Sequence, residues 1–201
     1  PALGVGLAPG GDGRAGTETV RCPLLAGMLL LAGCPQLPPE LPRPAGGELG
    51  PNFEVASPNF LHEGPIPPTY TCEGADISPA LTWTDLPEDT VSLALVVDDP
   101  DVPKLHWVHW VGWNLAPEPA FVHEATPREG ADFEQGTNDF DRLGWDGPCP
   151  PKRDDAHHFH VRMFAADTQL ELQTTATRDE MYRALDDHVL AMGELVGTFE
   201  R

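Results

Sequence analysis

Basic side chains are scarce in this 201-residue chain: 12 Lys and Arg stand against 32 Asp and Glu, a formal net charge of −20. No segment carries a basic stripe. Duplex nucleic acid is therefore excluded as a partner, because binding it requires clustered cations that neutralise phosphates. Anionic bilayer surfaces are poor electrostatic partners for the same reason. Long apolar runs are missing as well. The run at residues 23–33 is far shorter than the ~20 residues that cross a bilayer as a helix. There is no internal repeat, and Ser57 and Ser78 both precede proline, so neither sits in a nucleophile elbow. What is present is an apolar fraction of 40%, enough to argue against wholesale disorder. The acidity sets one condition on any function: an anionic ligand must be held by local donors against an adverse overall field.

The chain divides by composition. Residues 1–50 hold eleven of the 20 glycines and eight of the 23 prolines, with almost no helical or strand periodicity. Within them, Arg21 precedes the apolar run and Cys34 closes it, the order of a secretory signal peptide. The ending Leu31-Ala32-Gly33-Cys34 resembles the bacterial lipobox, which implies lipid attachment at Cys34. The competing reading is a buried core helix. Residues 1–19 lack the charge and apolarity of a targeting signal and are read as an upstream leader, with translation starting at Val20 and residues 20–33 as the signal peptide. Residues 34–50 are proline-rich and are expected to form a polyproline II tether, at ~3.1 Å per residue. Residues 51–201 then form the domain, which carries a net −19. Attachment to the membrane is expected through the N-terminal lipid alone, on the exported side of the envelope.

Within the domain the patterns favour strands. Residues 91–97 are β-branched and apolar, and they end in Asp98-Asp99-Pro100-Asp101-Val102-Pro103, which forces a loop. Residues 106–113 are rich in aromatic and β-branched residues, and strand alternation puts Trp107, His109, Val111 and Trp113 on one face. Residues 157–164 alternate too, with His157, Phe159, Val161 and Met163 opposite His158, His160 and Arg162. One helix is expected. Thr177 and Glu180 form a capping box, and Met181, Ala184, Leu185, Val189 and Met192 follow helical spacing. A short closing strand follows at residues 195–199. Many strands with proline-rich connections make a mainly β protein, a sandwich of two sheets with a peripheral C-terminal helix.

Chemistry-bearing residues gather where those strands end. Taken alone, Asp99-Pro100-Asp101 reads as a solvated turn and His109 as a core-edge histidine. Gly147-Pro148-Cys149-Pro150-Pro151 is more unusual, since three prolines within four residues fix a rigid loop, and rigid loops position binding groups. Two histidines from separate strands, His109 and His157, together with carboxylates suit a small polar pocket walled by Trp107 and Phe159.

Several of these motifs, in order, resemble the phosphatidylethanolamine-binding protein family, in its bacterial Raf-kinase-inhibitor-like branch. They are Asp99-Pro100-Asp101-Val102-Pro103, Trp107-Val108-His109-Trp110, and Gly147-Pro148-Cys149-Pro150-Pro151 with His157-His158-Phe159. Ser57-Pro58-Asn59-Phe60, residues 66–74, Ile77-Ser78-Pro79 and Asn138-Asp139-Phe140 support them. The resemblance runs from about residue 53 to the C-terminus. It implies a two-sheet sandwich with an anion pocket at one end, formed here by Asp99, His109, Pro151 and His157 with Trp107 as an aromatic wall. Asp101 belongs to the same motif and shapes the loop. Phe159 stands where many members have Tyr, which removes a phenol donor, and Val102 replaces a commoner Ala. The expected ligand is a small anionic or zwitterionic phosphorylated molecule, phosphoethanolamine-like in preference to free phosphate. No cofactor and no catalytic residue are expected.

Other uses of these residues compete. His158 and His160, or His106 and His109, make a zinc site conceivable, but a solvated histidine face is the preferred reading and no metal is expected. Cys149 has the chemistry to act as a nucleophile beside His157. In an exported domain with two cysteines, a Cys72–Cys149 disulfide is the preferred alternative. Functionally, a binding module stands first, an inhibitor of an unidentified partner protein second, and a hydrolase third.

Overall fold

The computed structural model describes residues 40–50, 52–103 and 106–201. The leader, the signal segment and Cys34 lie outside the described residues. Two sheets form. The smaller has the order β1 (Glu54–Ala56), β3 (Leu81–Thr84), β6 (Phe121–Val122). The larger runs β2 (Gly64–Pro65), β9 (Val189–Phe199), β8 (His157–Ala166), β4 (Ser92–Asp99), β5 (Trp107–Leu115), β7 (Glu134–Gln135). All its pairings are antiparallel except β2 with β9. No helix among the described residues is long and apolar enough to cross a membrane.

The expected mainly β sandwich is what these strands build. Residues of β4 are buried along its whole length, which explains its near-continuous apolar sequence: both faces of the large sheet are covered. One face meets the small sheet, and Leu95, Val97, Trp110 and Met163 pack with Val55, Leu81 and Trp83. The other face is covered by α1 (Arg178–Leu185), whose Met181 and Leu185 pack on Val96, Val111 and Phe164.

Two sequence expectations need correction. The helix starts where the capping box predicts, since the Glu180 carboxylate accepts the Thr177 N–H at 2.8 Å and its hydroxyl at 2.9 Å. It does not continue to Met192. It ends at Leu185, and Asp187 adopts φ 66°. Val189 and Met192 instead belong to β9, pairing with Ala166 and Phe164. Their helical spacing is incidental, because a ladder of ten pairs with β8 outweighs a weak local propensity.

The second correction concerns β5. Val97 pairs with Trp110 while Asp98 pairs with Val108, so His109 is an extra, unpaired residue, a β-bulge. Leu93 pairs with Leu115 while Leu95 pairs with Gly112, and a second bulge falls near Asn114 at φ 59°. The strand therefore does not keep one face. Trp110 enters the inter-sheet core, whereas Val111 and Trp113 pack on the helix side, away from Trp107 and His109. The three later strand residues follow the packing, and the first two are left for the site.

The proline-rich stretch is partly docked. Arg43 N–H donates to Asp186 Oδ1 at 2.9 Å, Asp187 N–H to the Arg43 carbonyl at 2.9 Å, and Gly50 N–H to the Leu190 carbonyl at 2.8 Å. Contacts with the turn after α1 and with β9 thus begin ahead of residue 51.

Candidate functional site

At the end of the sandwich where β4 finishes and β8 begins, a cavity of about 200 Å3 opens. Five of the seven ligand-binding residues expected from sequence line it: Asp99, Trp107, His109, Pro151 and His157. Asp101 and Phe159 do not. Phe159 is 1% exposed, beneath both imidazoles, with ring centroids 5.3 Å from His109 and 6.5 Å from His157. A tyrosine hydroxyl is thus absent from under the rings, while the aromatic packing remains. Asp101 faces outward, where its Oδ2 accepts the backbone N–H of His158 at 2.8 Å and the His158 ring Nδ1–H at 2.8 Å. It ties the loop after β4 to the start of β8. Burial works against its ionisation, but those His158 bonds hold its carboxyl below the usual range.

Asp99 and His157 form the buried polar pair of the cavity. Asp99 Oδ1 accepts the Asp101 N–H at 2.9 Å, and Oδ2 accepts from His157 Nδ1 at 2.7 Å. Both residues are buried, and a carboxylate accepts only, so Nδ1 of His157 carries a proton and Nε2 is left free of that bond. Asp154 Oδ2 stands 3.9 Å from that Nε2. In its imidazolium form His157 donates from both nitrogens.

His109 is set differently. The bulge turns it in from β5, and its Nδ1 lies 2.6 Å from the backbone carbonyl of Asp146. A carbonyl also only accepts, so this ring too carries its proton on Nδ1. Burial pushes the His109 pKa below the ordinary histidine value, further than the Asp146 bond and the nearby carboxylates raise it. A neutral ring with Nδ1–H presents an Nε2 lone pair. At the end cavity the neutral His109 ring is therefore an acceptor.

Asp146 holds this arrangement from behind. Its carboxylate is 1% exposed and receives the Asn138 amide at 2.6 Å, both guanidinium nitrogens of Arg128 at 3.1 Å, and Arg142. Two arginines thereby neutralise a buried charge and fix the carbonyl that orients His109. Asn138 Oδ1 also accepts the N–H groups of Phe140 and Arg142, a turn that presents Phe140 to the cavity. The Phe140 ring lies 5.4 Å from both Trp107 and His109. Phe140 belongs to the Asn138-Asp139-Phe140 motif and Asp146 directly precedes the proline loop, and neither was expected as a site residue. Only the Asn-x-Phe turn signal pointed to the first.

The proline loop is tied on three sides. Cys149 is disulfide-bonded to Cys72 across 77 residues, Gly147 N–H donates to Asp76 at 2.7 Å, and Arg201 Nε donates to the Pro150 carbonyl at 2.7 Å. A Cβ on Gly147 would collide with the Tyr70 carbonyl, so only glycine allows the loop this close. The bonded Cys149 has no free thiolate, which removes the nucleophile reading. Ser57 donates to the Ala80 carbonyl and Ser78 accepts the Thr126 N–H, so both hydroxyls serve the framework. The histidine face of β8 is engaged with carboxylates: His160 and Arg162 both contact Glu194, and Arg162 contacts Asp98. Among the described residues no three His, Cys, Asp or Glu gather to hold a metal ion.

What this defines is a two-sheet sandwich with a rigid end cavity built from one carboxylate, two tautomer-fixed imidazoles and aromatic walls. Residues 56–200 match the family model described as phosphatidylethanolamine-binding protein, and the chain belongs to that family. A UPF0098 protein of Pyrococcus abyssi is 39% identical over 187 residues, 89% of this chain and 97% of that protein. One from Methanothermobacter thermautotrophicus is 40% identical over 145 residues, 71% of this chain and 95% of that one. Among solved structures, a phosphatidylethanolamine-binding protein homologue from Chlamydia trachomatis has a TM-score of 0.70 at 34% identity, covering 76% of this chain and 99% of that one. YbcL of E. coli, described as a member of the mammalian family, has a TM-score of 0.70 at 28% identity, covering 75% and 99%.

Proposed function

We propose that the chain is a binding module whose end cavity takes a small phosphorylated zwitterion, with O-phosphoethanolamine as the simplest representative. The observation that carries this reading is the polar inventory of the cavity. No Lys or Arg lines it, Pro150 and Pro151 have no N–H to offer, and His109 presents a lone pair. A bare dianion meets too few donors there. A zwitterion divides the work: its phosphoryl group hydrogen-bonds His157 Nε2 through one shared proton, while Asp99 and His109 Nε2 receive the ammonium. The net −20 opposes a dianion and leaves a zwitterion nearly indifferent.

In this reading the protein binds and does not turn over substrate, since its cysteine and serine nucleophile candidates are committed to the framework. The module is exported and held by a lipid on Cys34. Incorporation of labelled palmitate that disappears in Cys34→Ser tests the anchor. Calorimetric titration with O-phosphoethanolamine tests the site: saturable binding is expected, weakened at least tenfold in His109→Ala and in His157→Ala. Unchanged binding in both variants overturns the reading.

A further inference from the structure

The other end of β5 carries a second cavity that shares no residue with the first. It measures about 310 Å3, at the lower end of the ~300–1,000 Å3 typical of small-molecule sites. Its floor lies over the inter-sheet core: Trp83, Leu115 and Val122 are buried core residues, and the half-buried Phe133 packs against them. Phe121, on the edge strand β6, stands at the wall with 41% of its surface exposed and its ring centroid 4.5 Å from that of His123. Phe121 adds an exposed ring to a concave, mostly apolar opening, the setting typical of small-molecule sites.

The charge around the opening decides what enters. Asp132 lines it, and Glu118, Glu124, Glu129 and Glu134 are exposed on the same 116–134 segment. The one cation of that segment, Arg128, is taken by Asp146 and by the Leu143 carbonyl at 2.6 Å. Aromatic faces and carboxylates both attract positive charge, and the chain as a whole carries −20. We infer that this cleft binds an organic ammonium ion with a ring-sized apolar body, the body on Phe121 and Phe133 and the charge toward Asp132. This site is independent of the end cavity, so it stands or falls separately from the function proposed above.

Benzylammonium, benzyl alcohol and benzoate share one ring and differ in charge. Titrating each into the 15N-labelled protein is expected to give saturable amide shifts centred on residues 115–133 for benzylammonium, with an affinity at least tenfold above that for benzoate. Asp132→Asn is expected to shrink that preference at least threefold while leaving benzyl alcohol unchanged. Phe121→Ala is expected to weaken all three probes. His157→Ala is expected to leave benzylammonium binding as it is. Equal affinity for benzylammonium and benzoate, or shifts that do not saturate or fall elsewhere, overturns the assignment.

Discussion

The two sides of β8 carry the same residue types to different ends. On the inner side, His157 meets Asp99 with both groups buried, above Phe159 and beside His109. On the outer side, His158 meets Asp101 and His160 meets Glu194 where water reaches them. The inner and outer bond lengths are nearly the same, 2.7 Å against 2.8 Å. Burial separates them. Inside, a histidine–carboxylate pair fixes a tautomer at the wall of the end cavity; outside, it braces a loop or a sheet edge and is screened by solvent.

The largest test of this contrast is to remove one carboxylate from each side. Asp99→Ala leaves a buried imidazole without its partner and is expected to cost about 3 kcal/mol in chemical denaturation. Asp101→Ala on the outer side is expected to cost about 1 kcal/mol or less. Equal costs would break the comparison.

A smaller effect is expected from pH. Because burial lowers the His109 pKa in the folded protein, the unfolded chain takes up its proton first. Stability is therefore fully present above the unfolded histidine value of ~6.5 and falls as the pH drops below it. On the outer side, Asp101 and Glu194 have lowered pKa values. For both, burial opposes ionisation, and His158 for the one, His160 and Arg162 for the other, override it. Their contribution is present above the unfolded carboxylate values of ~4 and is lost only in more acidic solution. Melting temperature against pH should thus fall in two stages, and His109→Gln should flatten the first. The smallest effect is that of His160→Ala, which gives up an exposed pair and should shift stability by less than ~1 kcal/mol.

How much of this was legible in the sequence follows the same line. β8 is an unbulged strand along residues 157–165, and its alternation of inside and outside could be read directly. β5 could not, because a bulge leaves no mark in hydrophobic periodicity: His109 and Trp110 both turn toward the inter-sheet side. The end of α1 was hidden for a related reason, since Val189 and Met192 suit a helix locally and are taken by pairing with β8. The five residues that line the end cavity were readable as motifs at loop and strand ends. Asp146 was not, because it acts through a backbone carbonyl, and no pattern of residue types reports which carbonyl faces a histidine. The second cavity also escaped sequence reading, for it is formed by residues 83–133 meeting across two sheets without a motif.

The histidine ring nitrogens give the most direct test. Long-range 1H–15N spectra at pH 7 should show His109 neutral, with its proton on Nδ1 and a pyridine-type Nε2. Adding O-phosphoethanolamine should shift the His109 and His157 ring signals while those of His158 and His160 stay in place. A His109 proton on Nε2, or shifts of equal size on both sides of β8, would contradict the account.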